Sequence, residues 1–152
     1  MSSDINEETL LSDSLDNYIM DNYETALKHF DSMITKFPES SKKSEYILYR
    51  AICYLKLGKF EESLKDLEEI EKDNNYNKEF NYYLTKGKVL YYLGKFEQSK
   101  NELNKGLELN KEKENLFNCW IKKVVKKLVK IVIILLIKVK IKAKILVIFL
   151  KN

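Results

Sequence analysis

The sequence predicts an all-α chain of stacked helical hairpins, and three observations carry that expectation. One Pro and four Gly in 152 residues leave too few turn formers for a many-stranded β fold. Apolar residues recur at helical spacing through most of the first 130 positions. Most decisively, three segments repeat in register: Asp21-Asn-Tyr23-Glu-Thr-Ala26-Leu-Lys-His-Phe30, Gly58-Lys-Phe60-Glu-Glu-Ser63-Leu-Lys-Asp-Leu67 and Gly94-Lys-Phe96-Glu-Gln-Ser99-Lys-Asn-Glu-Leu103.

Each segment reads as the second helix of a hairpin. The aromatic anchors Tyr23, Phe60 and Phe96 are spaced 37 and 36 residues apart, each followed by a small residue three positions on and a large apolar residue four beyond that. Upstream of the second and third copies lie Ile47-x-x-Arg50-Ala51-x-x-Tyr54 and Tyr83-x-x-Lys86-Gly87-x-x-Leu90, the first helices of those hairpins. The small residues Ala26, Ala51, Ser63, Gly87 and Ser99 let backbones approach where helices cross. Gly58 and Gly94 are placed to end the first helices in a left-handed turn, and Pro38 to stop the second helix of the first unit.

These units resemble tetratricopeptide repeats, over about residues 7–110. The resemblance implies three helix hairpins (about 7–40, 44–77 and 80–113) in a right-handed superhelical array, after a flexible N-terminus at 1–6. The first unit departs most, having Ser14 at the small position of its leading helix, Thr9 to Met20, but no aromatic anchor there. After the third unit, Phe117-Asn-Cys-Trp120-Ile121-Lys122-Lys123 is similar to the helix that follows three such repeats in the SGT-one co-chaperones (suppressor of G-two allele of SKP-one). That narrower resemblance implies a cytoplasmic or nuclear adaptor whose partners are SKP-one-type ubiquitin-ligase subunits, a chaperone complex, or a second copy of itself.

In tetratricopeptide arrays the first helix of each pair lines a concave groove. Here that places Leu11, Leu15 and Tyr18 from the first unit, Leu48, Tyr49, Ile52 and Leu55 from the second, and Asn81, Leu84, Thr85, Lys88 and Tyr91 from the third. The partner-binding set expected to matter is Leu15, Tyr18, Leu48, Tyr49, Ile52, Leu84, Lys88 and Tyr91. One subfamily grips a chaperone's terminal carboxylate with two Lys, two Asn and an Arg. The matching positions here hold Leu11, Leu15, Tyr49, Asn81 and Thr85, so that set is missing and the groove reads as apolar and aromatic.

No catalytic or metal constellation emerges, and neither enzyme activity nor a cofactor is expected. His29 stands alone on a helix, Cys53 reads as a small core residue and Cys119 as a neighbour of the terminal helix. Two Cys 66 residues apart build neither a disulfide framework nor a four-ligand zinc site. The four single Gly form no phosphate-cradling loop, and specific nucleic-acid binding has nothing but a lysine tail behind it.

The overall charge of +4 conceals two unlike parts. Residues 1–120 hold 17 basic and all 23 acidic residues, net −6, whereas residues 121–152 hold ten Lys and no acid. Residues 115–130 pattern as an amphipathic helix whose stripe (Trp120, Ile121, Val124, Val125, Leu128, Val129) caps the array. Residues 131–152 are low in complexity: an apolar run, then strict Ile/Lys-type alternation that would make a two-faced strand or stay unstructured. A membrane-associated adaptor anchored through 121–150 is the rival reading. For Leu128–Leu150 the 18 apolar residues favour insertion by about 5–11 kcal/mol, and five lysines oppose it by about 12–17 if central. The composition is also that of an AT-rich gene read one base out of frame from about Val124, which would make the chain a truncated copy of a longer co-chaperone. Transcript sequencing checks this: an acidic alternative frame running into a further domain is the expected result of a slip, and a verified frame through residue 152 removes the idea.

Overall fold

The computed structural model describes residues 6–150. Seven α-helices follow one another: α1 (Glu7–Ile19), α2 (Tyr23–Lys36), α3 (Lys43–Lys56), α4 (Phe60–Glu71), α5 (Phe80–Tyr92), α6 (Phe96–Leu109) and α7 (Glu114–Leu150), with a short 3-10 turn at Lys111–Lys113. No strand occurs among the described residues. The first six pair as antiparallel hairpins, α1 with α2, α3 with α4 and α5 with α6. Each hairpin packs on the next through α2 against α3 and α4 against α5, and α7 lies on α6. Contacts of α3 with α5 and of α5 with α7 bring those helices to one side, which becomes the concave face.

The core follows this serial plan, divided into three clusters. The first (Leu10, Ala26, Phe30, Met33, Tyr46, Cys53) joins the first hairpin to α3. The second, around Ile47, Ala51, Leu67, Ile70, Tyr82 and Val89, joins the second hairpin to α5. In the third, Leu84 and Leu103 are covered by Phe117 and Val124 from α7. Each unit buries its apolar face only against its neighbours, as expected for a repeat array.

Turn chemistry explains the hairpins. Gly58 and Gly94 have φ of +74° and +75°, left-handed values that favour Gly, just beyond the last residues of α3 and α5. Asp21 takes the same place in the first unit at φ +60°, where an L side chain is less comfortable, and its carboxylate accepts a hydrogen bond from the Tyr23 hydroxyl. Residues 1–5 of the N-terminus expected to be flexible lie outside the described residues. Asn6 itself is the N-cap of α1, its Oδ1 accepting from the Thr9 N–H at 2.8 Å.

The small positions do more than leave space. Ser63 Oγ donates to the Ala51 carbonyl at 2.7 Å and Ser99 Oγ to the Gly87 carbonyl at 2.6 Å, so an equivalent hydroxyl ties the two helices of both hairpins at their crossing. A cation repeats as well. Arg50 bridges Asp31 on α2 and Asp66 on α4, each at 2.7 Å, and Lys86 bonds Glu71 on α4 at 2.9 Å with Glu102 on α6 at 3.9 Å. These side chains fasten α3 and α5 each to its own hairpin partner and to the preceding unit. At the array's beginning, the Glu7 carboxylate accepts from the Ser40 and Tyr46 hydroxyls, which hold its pKa below the ordinary value. That latch is complete above the usual carboxylate range and is lost as pH falls through the lowered value.

The terminal helix departs from expectation in two ways. Phe117, left out of the expected capping stripe, is fully buried with Val124, while Val125 and Val129 stay exposed. Residues 131–150, expected to be unstructured or an alternating strand, instead continue α7 as helix, with their side chains exposed. Alternation every second residue misleads here because lysine stems and branched apolar residues also fit a helix once a packed first half has nucleated it.

Two outcomes follow. A Cβ on Gly106 would lie 2.4 Å from Phe117 Cε1 and 2.8 Å from Tyr83 Cβ. Gly106→Ala, which would stabilise an open helix, should therefore cost about 1–3 kcal/mol here, seen as a drop of several degrees in Tm. Burial pushes the Asp66 carboxyl up, and the hydrogen bonds from Arg50 offset only part of that effect. Arg50→Met should cost about 2–4 kcal/mol at neutral pH by stranding that carboxylate. Because a raised folded-state pKa favours the protonated form, the deficit relative to wild type should narrow as pH falls towards 4, in urea denaturation at both pH values.

Candidate functional site

The concave face is organised along α3. Glu45, Leu48, Tyr49, Ile52, Leu55 and Lys56 recur at i, i+3, i+4, i+7, i+10 and i+11, so one side of this helix forms the floor of a groove. Two cavities lie along it. The first, about 350 Å³, is lined by Glu45, Leu48, Tyr49 and Ile52 together with Tyr76, Asn77, Glu79 and Asn81 from the α4–α5 loop and the start of α5. The second, about 400 Å³, is lined by Leu55, Lys56, Gly58, Phe60, Lys88, Tyr92 and Trp120. A third, about 450 Å³, lies across Trp120, between Tyr91 and Tyr92 and the lysines Lys123, Lys126, Lys127 and Lys130.

The groove is therefore electrically polarised. Glu45 and Glu79 stand at one end, with no ion pair among the described residues. Lys56, Lys88 and Lys123 gather at the other. The Lys88 ammonium sits 5.2 Å from the Trp120 ring centroid and that of Lys123 4.4 Å from it, so both cations rest against one indole. Burial lowers the pKa of Lys88, and the neighbouring charges of Lys56 and Lys123 lower it further. Such a cluster gains from any anion that enters.

Aromatic side chains line the walls and are held before any partner arrives. Tyr49 stacks on Phe30 at 5.3 Å and meets the edge of Tyr18 at 5.7 Å. Tyr91 meets Phe96 and Trp120 edge-on at 5.6 and 5.7 Å, and Tyr92 stacks on Phe60 at 4.8 Å. Rigid aromatic surface of this kind contributes contact area at low entropic cost.

The residues expected from sequence separate on this surface. Leu48, Tyr49 and Ile52 meet in the first cavity; Lys88 lines the second and Tyr91 the third. Leu15 and Tyr18 pack at the edge of the first core cluster, on the side of Tyr49. Leu84, buried as deeply as Leu48 and Ile52, is placed differently: it packs with Leu103, Phe117 and Val124, beneath the helix that closes the array. Of the five carboxylate-gripping positions, Leu11 and Leu15 pack into the first cluster, Thr85 is buried, and Tyr49 and Asn81 line the first cavity. The cations lie elsewhere, at Lys56, Lys88 and Lys123.

Several lining residues escaped sequence reading. Lys56 was legible, being four residues after Ile52 on the α3 face. Tyr76, Asn77 and Glu79 come from a loop whose path no periodicity reports. Trp120 and Lys123 were assigned to the cap, and only the crossing of α7 over α5 shows that the same turn of helix also walls the groove. No group of His, Cys, Asp or Glu able to hold a metal occurs among the described residues. His29 lies on α2, its Nδ1 buried and without a hydrogen-bond partner. Burial pushes the Cys53 thiol up to about 12, while Cys119 is exposed. A thiol reagent at pH 8 should accordingly label Cys119 rapidly and Cys53 only on unfolding, giving one reactive thiol per native chain and two in denaturant.

Comparison with known proteins places this architecture. No protein-family model matches the chain. The Hsp70-Hsp90 organizing protein of Triticum aestivum is 31% identical over 109 residues, 71% of this chain and 18% of the relative. The chain thus spans about a fifth of the length of the curated relatives it matches. Among solved structures, the Sgt2 TPR domain from Aspergillus fumigatus has a TM-score of 0.66 at 17% identity, covering 80% of this chain and 78% of that one. The second TPR domain of human RPAP3, solved in complex with the HSP70 peptide SGPTIEEVD, has a TM-score of 0.62 at 21% identity, covering 76% of this chain and 91% of that one. In fold, the chain is an array of tetratricopeptide-repeat hairpins, as in the Sgt2 and RPAP3 domains.

Proposed function

We propose that the chain is a non-catalytic adaptor that binds a partner peptide or short helix in the groove along α3. The observation that carries this reading is the polarised, aromatic-walled groove itself: apolar floor, two carboxylates without an ion pair among the described residues at one end, and at the other Lys88 and Lys123 against Trp120 with Lys56 lining the same cavity. A segment with an apolar side chain over Tyr49 and Ile52 and a carboxylate towards Lys88 matches it in both shape and sign. A chaperone complex is the favoured partner. The repeats are similar in sequence to the Hsp70-Hsp90 organizing protein, and the RPAP3 domain of like fold holds a peptide ending in Glu-Glu-Val-Asp. An SKP-one-type subunit rests on the SGT-one resemblance alone. A mode distinct from the five-residue carboxylate grip follows from the side chains present, since the lysines reach the groove from other positions.

Fluorescence anisotropy with labelled SGPTIEEVD tests the assignment. Wild type should bind, and Tyr49→Ala with Tyr91→Ala should weaken binding at least about tenfold while helicity is kept. Lys56→Ala with Lys88→Ala should weaken it comparably and flatten its salt dependence. Removal of residues 131–152 should leave the affinity unchanged. A peptide that binds wild type and all variants alike would move the site off this groove; one that never binds would remove the chaperone assignment.

A further inference from the structure

The second half of α7 presents a surface that groove binding leaves unused. Phe117, Ile121, Val124 and Leu128 pack onto the array, and the same stripe then runs on past its last protein neighbour. Phe117, Leu128, Val139 and Leu150 recur at intervals of eleven residues, close to three full helical turns, so the stripe stays on one side of the helix instead of winding around it. Val132, Leu135 and Leu146 fall on it too. At 100° per residue these seven positions fall within an arc of about 60° that contains no lysine, and Lys142 borders it about 20° away. Beyond Leu128 the large apolar side chains are exposed, from 41% at Ile131 to 79% at Phe149.

We propose that residues 125–150 of α7 are an in-plane binding element for an anionic lipid surface. Charge decides the occupant. Lys130, Lys138, Lys140, Lys142 and Lys144 flank or oppose the stripe, and α7 carries no acid after Glu114. Two copies joined stripe to stripe would set their Lys138 and Lys142 rows against each other with no carboxylate between them. An anionic headgroup layer supplies the missing opposite charge along the whole row. Lysine stems lie along the apolar surface while their ammoniums reach the headgroups, and the two apolar turns at 131–137 seat the helix deeper. Crossing is a different matter: no helix among the described residues is long and apolar enough to span a membrane, because four lysines interrupt positions 138–144.

Vesicle co-sedimentation of the full chain tests the proposal, with phosphatidylcholine alone and with roughly one third phosphatidylserine. Binding should favour the anionic vesicles at least about tenfold and be reversed in roughly 0.5 M salt. Replacing Lys138, Lys140, Lys142 and Lys144 together with Gln should abolish the preference without changing Tm. Leu135→Asn with Val139→Asn and Leu146→Asn, all beyond the packed cap, should weaken binding to both vesicle types. Equal partitioning onto the two vesicle types would overturn the proposal. So would absence of vesicle binding, and a concentration-dependent dimer in light scattering alongside that absence would assign the stripe to a second copy.

Discussion

Close approach of paired helices is the constraint on which the remaining geometry depends. At Gly87 a Cβ would fall 2.5 Å from Leu103 Cγ, and at Gly106 it would meet the ring of Phe117. Where backbones come this near, a serine hydroxyl can reach across to a main-chain carbonyl, as Ser63 and Ser99 do. The same small separation at Gly106 seats α7 against the third hairpin, and with it the Trp120 wall of the groove. Were those helices spread by larger residues, the Lys88 ammonium would no longer rest against Trp120, and the basic end of the groove would fall apart into three solvated lysines.

Charge is partitioned at several scales with different consequences. Between units, Arg50 and Lys86 are consumed by acidic partners and serve construction. Within the groove, Glu45 and Glu79 at one end and Lys56, Lys88 and Lys123 at the other form no ion pair among the described residues, so an arriving segment meets an orientation before it meets a shape. Along α7 a single sign prevails. The chain's small net charge averages over all of these and describes none of them.

Much of the fold could be read from the chain because repeat architecture writes itself three times. Ala51 and Gly87, Ser63 and Ser99, Gly58 and Gly94 each support the other's interpretation, and the structure returns the hairpins they imply. The serine hydroxyl bonds and the paired cations were not legible: a small residue at a crossing and a charged one beside it look like packing and solvation until the carbonyl and carboxylate opposite are located. On the concave face, α3 was largely legible through its own periodicity. Leu84 was not, because α7 covers it, and the stripe read for that helix left out Phe117, which packs in the same cluster. The last twenty residues were misjudged for a related reason. Alternation was weighed as strand character, whereas an eleven-residue apolar recurrence, visible only across the whole of α7, describes them better.

Trp120 gives the molecule a property that neither its packing nor its charge describes. It is the only tryptophan of the chain, and it stands where cap, groove and extended helix meet. Its indole is flanked by two ammoniums and two tyrosines. Occupation of the groove, fraying of the last unit, or a pull on the far end of α7 would each alter that surrounding in its own way. The protein thus carries an intrinsic optical gauge at its mechanical junction, able to register whether its two exposed surfaces act independently or through one another.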